Sequence, residues 1–429
     1  MTTTHTSPGP LRDRTDPIPD VDLADPDPAR ADALDDALAD LRREHGICWH
    51  GPKSRPGFWA VIRYAETMKV YRDPVTFSAT HGMTIDSLRP DQDPASGMMV
   101  EVTDPPEHRR LRRSIGAFFV DGAIAALEPG IDDYVRRLLA GVRDGNKPVD
   151  FVEVAGRIPT YAAGLLLGLP SEDLDWITER TAKVFLSGPE AATRADLRAA
   201  AEQANGELLG YFAKLLRTTR RDGSGAGAAK ADGLVHRLAT GTANRDSLTT
   251  GEVVLNALNL AIGGTTTTRS VLTNLMAALI RFPAALDTLR ADPATVPTAV
   301  EEAVRWANPV RHLARVATRD VELGGRQIRA GDPVLVFPRS AHRDEAVFTD
   351  PDVFDIRRHP NPHIGFAAGP HSCPGTGLGR AQLRATLRHL AGTFSGAEAA
   401  GAAELMQSNF LYGYARLPVR LVPDPASTI

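Results

Sequence analysis

Ten residues near the end of the chain concentrate its chemistry: Phe366-Ala367-Ala368-Gly369-Pro370-His371-Ser372-Cys373-Pro374-Gly375. They hold one of only two cysteines, set among glycines and followed by an apolar run with helical spacing. Glycine keeps side chains out of the way, so a large flat cofactor can approach the backbone. A helix beginning just after the sulfur, with its free N–H groups, favours thiolate over thiol. A lone cysteine is ordinarily a small buried hydrophobe, as Cys48 between Ile47 and Trp49 is expected to be. A single thiolate in this setting suits the axial position of haem iron, which takes one sulfur rather than two or four.

Phe366, Gly369, His371, Cys373 and Gly375 stand at the spacing of the haem-binding signature of cytochrome P450 enzymes, and Leu378 and Arg380 continue the helix as that family does. The stretch therefore resembles the P450 cysteine loop. It departs in two places: Ala367 stands where glycine is usual, and Pro374 where an aliphatic residue is commoner. Neither removes the ligand. The resemblance implies haem b as cofactor, with Cys373 as the iron ligand.

A second constellation is Gly263-Gly264-Thr265-Thr266-Thr267-Thr268-Arg269, inside a long helical pattern from Thr249 to Phe282. Glycine costs a helix about 1 kcal/mol relative to alanine, and β-branched residues lose rotamer freedom there. Close backbone approach by a cofactor and hydroxyls for a bound ligand would explain their presence. By resemblance, Gly263 and Gly264 face haem, and Thr267 matches the oxygen-side threonine. Thr266 occupies the position of an acid that helps bring protons to dioxygen. A hydroxyl relays a proton but does not supply one as a carboxyl does. Three readings stay open: water or substrate delivers protons and the enzyme is an ordinary hydroxylase; slow proton delivery favours oxidative coupling or ring closure without oxygen insertion; or another oxidant is used.

The resemblance extends to the anchors. His108 and Arg112 share one helical face and match a pair that holds a haem propionate. Arg315 and His371 match the other anchors, and cationic or donor side chains suit carboxylates. Arg109, Arg110 and Arg113, elsewhere on that helix, are either a solvated charge run or a surface that steers an acidic ferredoxin. Glu302 and Arg305, one helical turn apart, match a buried pair whose expected third partner is Arg343. Candidate pocket residues are Met83, Ile85, Met98 and Met99 in the loop 77–99, Leu258 and Ile262 on the long helix, Val310 and Leu313 in an expected strand, and Phe410 and Leu411 in a turn near the end. Arg311 and His312 are read as either exposed or binding a polar substrate group.

These residues must be positioned by a mainly helical frame. Helical periodicity recurs from Ala29 to His45, from Tyr64 to Asp73, and through most of 124–220. Phe58 to Ile62 reads as a strand, Val321 to Val336 as a hairpin, and Leu417 to Leu421 as a closing strand. Residues 1–27, rich in Thr, Pro and Asp, read as a disordered tail before one haem domain at 28–425. The net charge of −4 argues against a nucleic-acid partner. Widely separated cysteines suggest a reducing compartment, and no apolar run of spanning length begins the chain, so a cytoplasmic enzyme without a membrane anchor is expected. The fold expected is the P450 fold, mainly α with a smaller β-rich region. Its implied function is oxidation of a small, largely apolar molecule by dioxygen, with electrons from NAD(P)H through ferredoxin reductase and ferredoxin, in bacterial secondary metabolism. The alternative from another class is a haem-fold partner protein without catalysis.

Overall fold

The computed structural model describes residues 21–51, 57–143, 147–186, 191–223, 225, 227–241 and 248–426. Most of the expected tail lies outside them. Its last residues are packed: Leu23 and Ala24 are buried, and the Leu23 N–H donates to His50 Nε2 (3.2 Å).

The helices are α1 (Ala31–Glu44), α2 (Tyr64–Arg72), α3 (Glu107–Gly116), α4 (Asp121–Ala140), α5 (Phe151–Leu167), α6 (Leu174–Thr181) and α7 (Ala191–Asp222). There follow α8 (Leu234–Ala239), α9 (Thr250–Arg281), α10 (Pro283–Ala291), α11 (Val296–Ala307), α12 (Pro338–Ala341) and α13 (Thr376–Thr393). α9 is the axle. Thr249 accepts from the Glu252 N–H and Glu252 accepts from the Thr249 N–H, a capping box that satisfies two otherwise unpaired donors. The helix then runs unbroken through Gly263 to Thr268, because α5 and α11 pack along it and supply the stability its sequence lacks. α4 and α13 lie against each other, joined by Arg384–Glu128 and Arg388–Asp132 pairs. The main core gathers apolar residues from α4, α5, α7, α9, α11 and α13. Among the described residues no single helix is long and apolar enough to cross a membrane.

The smaller β region has a five-stranded sheet in the order β1-β2-β8-β5-β3, where β1 is Ile47–His50, β2 Phe58–Val61, β3 Phe77–Ser78, β5 Leu313–Ala317 and β8 Pro333–Val336. β6 (Val321–Leu323) and β7 (Arg326–Ile328) form a tight hairpin on Gly324-Gly325, both at positive φ. The expected hairpin to Val336 is thus shorter, since β8 pairs with β2 and β5 instead. β4 (Val149–Asp150), β9 (Phe394–Ala399) and β12 (Pro418–Pro423) make a second sheet. β10 (Glu404–Leu405) pairs with β11 (Tyr414–Arg416). The expected strand from Asn308 starts only at Leu313, although Val310 bridges Leu411 before it.

Glu302 and Arg305 on α11 are fully buried. Arg305 donates to Glu302 through Nε (2.7 Å) and Nη2 (2.8 Å), and its Nη1 donates to the carbonyls of His342 and Pro351. The third member is Arg358, whose Nε donates to Glu302 (3.1 Å); this corrects the expectation of Arg343. Arg343 instead stacks its guanidinium over Trp306 at 4.4 Å and pairs with the exposed Asp352. Removing one partner of a buried pair strands the other, at about 3–5 kcal/mol. Arg305→Ala should therefore cost about 3–5 kcal/mol in urea unfolding. Arg343→Ala should cost about 1 kcal/mol, the size of a modest cation–π contact. Equal losses would place Arg343 back in the network.

Candidate active site

The cysteine loop is held from behind by a chain of hydrogen bonds that starts at α11. His342 donates from Nδ1 to the Arg305 carbonyl (2.9 Å) and accepts at Nε2 from the Ile364 N–H (2.9 Å). Next, Gly365 passes so close to Val304 that a Cβ would stand 2.5 Å from its Cγ1. The Phe366 carbonyl then accepts from the Cys373 N–H (2.8 Å), closing the loop on itself. At its outer turn Gly369 adopts φ +71 and lies against the end of α2, where a Cβ would meet the Tyr71 carbonyl oxygen at 2.4 Å. Only glycine fits.

Ala367 explains its own oddity. It sits at φ +54, the left-handed region that glycine adopts freely and alanine does not. The departure noted in the sequence is therefore a real backbone strain of roughly 1 kcal/mol.

The Cys373 thiol is exposed, but onto an internal cavity that it lines. Burial pushes its pKa up, while a hydrogen bond from the Gly375 backbone and the Arg112 charge pull it down. α13 begins three residues later, so the helix start faces the sulfur. Phe366 and Gly375 line the same cavity; Gly369 does not.

The opposite wall is α9. Gly263, Gly264, Thr266, Thr267 and Thr268 all line the cavity. The Thr266 hydroxyl donates to the Ile262 carbonyl (2.9 Å) and that of Thr267 to the Gly263 carbonyl (2.7 Å). Their protons are thus held by the helix, leaving oxygen lone pairs for the cavity.

At one edge stand His108, Arg112, Arg315 and His371, all lining the cavity. Both ring nitrogens of His108 and the Nε2 of His371 are buried without a hydrogen-bond partner. The two rings lie 4.3 Å apart. Arg315 donates only to its neighbour's carbonyl, that of Ala314, and among the described residues neither arginine has an ion pair. Burial first, then the surrounding arginines, hold His371 down to about 2. Burial also lowers His108, Arg112 and Arg315. Donors gathered this way with no acceptor fit a ligand that brings carboxylates, as haem does.

Of the expected pocket residues, Met83, Ile262, Val310, Leu313 and Phe410 line the cavity. Five do not. Ile85 packs beside α1 and Met98 is exposed. Met99 is half-buried away from the cavity, Leu258 is in the main core, and Leu411 is buried behind Phe410. Arg311 and His312 are neither exposed nor at the pocket. Arg311 is buried, donates to the Asp25 carbonyl and is pushed down to about 10, while His312 Nε2 accepts from the Ile85 N–H. Arg110 is bound by Glu107 and Glu252, which leaves Arg109 and Arg113 exposed on α3. Sequence reasoning missed Tyr71, Glu101, Leu166, Phe185 and Asn259, which line the cavity, and His342 behind it. None lies in a motif; the position of Glu101 just before Asp104-Pro105-Pro106 was the available signal.

His342 gives a pH prediction. Burial, then His363, depress its pKa well below 6.5, so it stays neutral when folded. The unfolded chain protonates this histidine near ~6.5. The unfolded state then holds the extra proton, and stability falls as pH drops below that value. From about pH 7 to 5 the wild type should lose stability that His342→Gln does not lose, measured by urea unfolding at each pH. Parallel profiles would refute it.

Residues 192–406 match the family model described as Cytochrome P450. The chain is 37% identical over 391 residues to Putative cytochrome P450 126 of Mycobacterium tuberculosis, covering 89% of this chain and 92% of that protein. It is 33% identical over 424 residues to the Methyl-branched lipid omega-hydroxylase of the same species, covering 94% and 96%. Among solved structures, P450 OxyD, involved in the biosynthesis of vancomycin-type antibiotics, superposes with a TM-score of 0.83 at 33% identity, covering 94% of this chain and 100% of that one. With one thiol, paired glycines and an unpaired cation set converging on one cavity, and with relatives aligned along most of its length, the chain belongs to the cytochrome P450 family.

Proposed function

We propose that this P450 is a monooxygenase that hydroxylates or epoxidises a small, largely apolar molecule in bacterial secondary metabolism. The family's haem b would be ligated by Cys373, with its carboxylates held by His108, Arg112, Arg315 and His371. The observation that carries this is the cavity itself: a thiol beside a helix start on one wall, glycines and threonine oxygens on the other, and at the edge two arginines beside two histidines with unpartnered ring nitrogens. When bound, haem supplies activation of dioxygen: one oxygen atom enters the substrate and the other leaves as water, using two electrons and two protons. The chain's own residues do the rest. The Gly375 backbone N–H and Arg112 favour the anionic sulfur against the burial that disfavours it, the glycines of α9 allow close approach, and Thr267 offers an acceptor to a proton-bearing group. Met83, Ile262, Leu313 and Phe410 exclude water from the apolar substrate. Electrons would arrive from an acidic ferredoxin and its NAD(P)H-dependent reductase, with Arg109 and Arg113 as exposed positive charges near that face.

Thr266 supports a second reading, oxidative coupling without oxygen insertion, because no carboxyl stands at that place on α9.

The reduced protein with carbon monoxide should show the strongly red-shifted Soret band of thiolate ligation, and Cys373→His should abolish it. A wild-type band typical of histidine-ligated haem would overturn the ligand assignment. Arg315→Leu and His371→Leu should each weaken haem retention by about tenfold or more, the scale of one charge-assisted hydrogen bond. In turnover, labelled oxygen from dioxygen should appear in product; its absence from an oxidised product would favour coupling. Thr266→Glu should raise product formed per electron consumed, and an unchanged ratio would remove Thr266 from proton delivery.

A further inference from the structure

Glu101 is the one carboxylate among the residues lining the cavity. It sits in the short 3-10 turn Val100–Val102, whose two valines are buried on either side of it. The turn is fastened to α9: Asn256 Oδ1 accepts from the Val100 N–H (3.0 Å), and Asn256 Nδ2 donates to the Met98 carbonyl (2.7 Å). These two bonds fasten the turn that carries Glu101 against the cavity-lining helix. One turn along α9 from Asn256 stands Asn259, which also lines the cavity and shares a helical face with Gly263 and Thr267. Among the described residues no hydrogen bond or ion pair joins either side chain to another residue, and the nearest influence on Glu101 is the charge of Arg315.

The charges do not balance around it. Arg112 and Arg315 match the two carboxylates of haem, and burial keeps His108 and His371 from carrying charge readily. Glu101 is left over. Glu101 is half-buried on the cavity wall and only partly offset by Arg315, and a carboxylate placed so is stabilised when a cation completes it. Leu260, Phe185 and Met83 are among the apolar residues that line the same cavity.

Building on the monooxygenase reading, we propose that Glu101, seconded by the Asn259 amide, anchors a cationic nitrogen on the substrate. The substrate is then a largely apolar molecule carrying a protonated or quaternary amine. Burial pushes Glu101 up to about 7, partly offset by Arg315, and a cation placed beside it restores the carboxylate.

The test uses haem-loaded protein and phenylalkyl trimethylammonium ions of increasing chain length, each paired with its neutral carbon isostere. Quaternary ammonium has no lone pair for iron, so binding reports the pocket alone. Affinities come from calorimetry and from the haem absorbance shift. In the wild type at least one cation should bind tenfold or more tighter than its isostere, and in Glu101→Gln that ratio should fall below threefold. Equal affinities, no binding of any cation, or a preference that survives in Glu101→Gln would overturn the anchor. The wild-type ratio stands by itself if the variant folds poorly. A normal carbon monoxide band with equal affinities would sink the anchor and leave the monooxygenase reading. A cation preference without that band would do the reverse.

Discussion

Everything at the sulfur depends on a buried carboxylate far behind it. Glu302 accepts from Arg305, Arg358, the Asp355 N–H and the Asn361 amide, so one side chain ties α11 to the whole passage leading into the cysteine loop. Arg305 passes the constraint on through its carbonyl to His342, and His342 passes it to Ile364. From there only Gly365 intervenes before Phe366, whose carbonyl receives the Cys373 N–H. Such a chain is rigid because Glu302, Arg305 and His342 are fully buried and their polar atoms are hydrogen-bonded within it. The sulfur is thus held where it stands by structure that never touches it.

The cation edge is the converse case. Arg112, Arg315, His108 and His371 are brought together by α3, β5 and the cysteine loop, three elements distant in sequence, and among the described residues neither arginine has an ion pair and the ring nitrogens of His108 and Nε2 of His371 have no hydrogen-bond partner. Such an arrangement is destabilising by itself and becomes stabilising when carboxylates arrive. Cofactor binding and folding stability are therefore coupled, since whatever binds only the native state adds its binding free energy to stability. The Glu301–Arg380 pair, with Glu301 held down to about 2, shows the contrast: where the fold supplies the anion, the cation is fixed without help.

Much of this was legible in the sequence because it rests on local pattern. The helix after Cys373, the long helix through Gly263-Gly264 and the pairing of Glu302 with Arg305 each follow from spacing of a few residues. What was not legible depends on tertiary partners. Arg343 and Arg358 are both arginines downstream of α11, and only packing reveals that Trp306 takes the first and Glu302 the second. Leu258 and Ile262 lie one turn apart on α9, yet one faces the core and the other the cavity. β8 leaves the hairpin that its sequence continues because two strands elsewhere offer it pairs on both edges. Ala367 ran the other way: an apparent family irregularity in the sequence became a backbone constraint in the structure.

The two departures at the oxygen side belong together. On α9 the hydroxyls of Thr265, Thr266 and Thr267 each donate to a carbonyl of the preceding turn, so that wall offers acceptors and no acid. The carboxylate that does face the cavity stands on another element, fixed by Asn256 beside the next turn of the same helix. An acid on α9 would sit beside Thr267 whatever the substrate. An acid at Glu101 instead lines the cavity from another element, and its protonation depends on what is beside it. In this pocket the ionisable group is therefore coupled to the substrate's own charge. A ligand that supplies a cation fixes its position and the state of the acid in one contact, which a neutral ligand of the same shape does not.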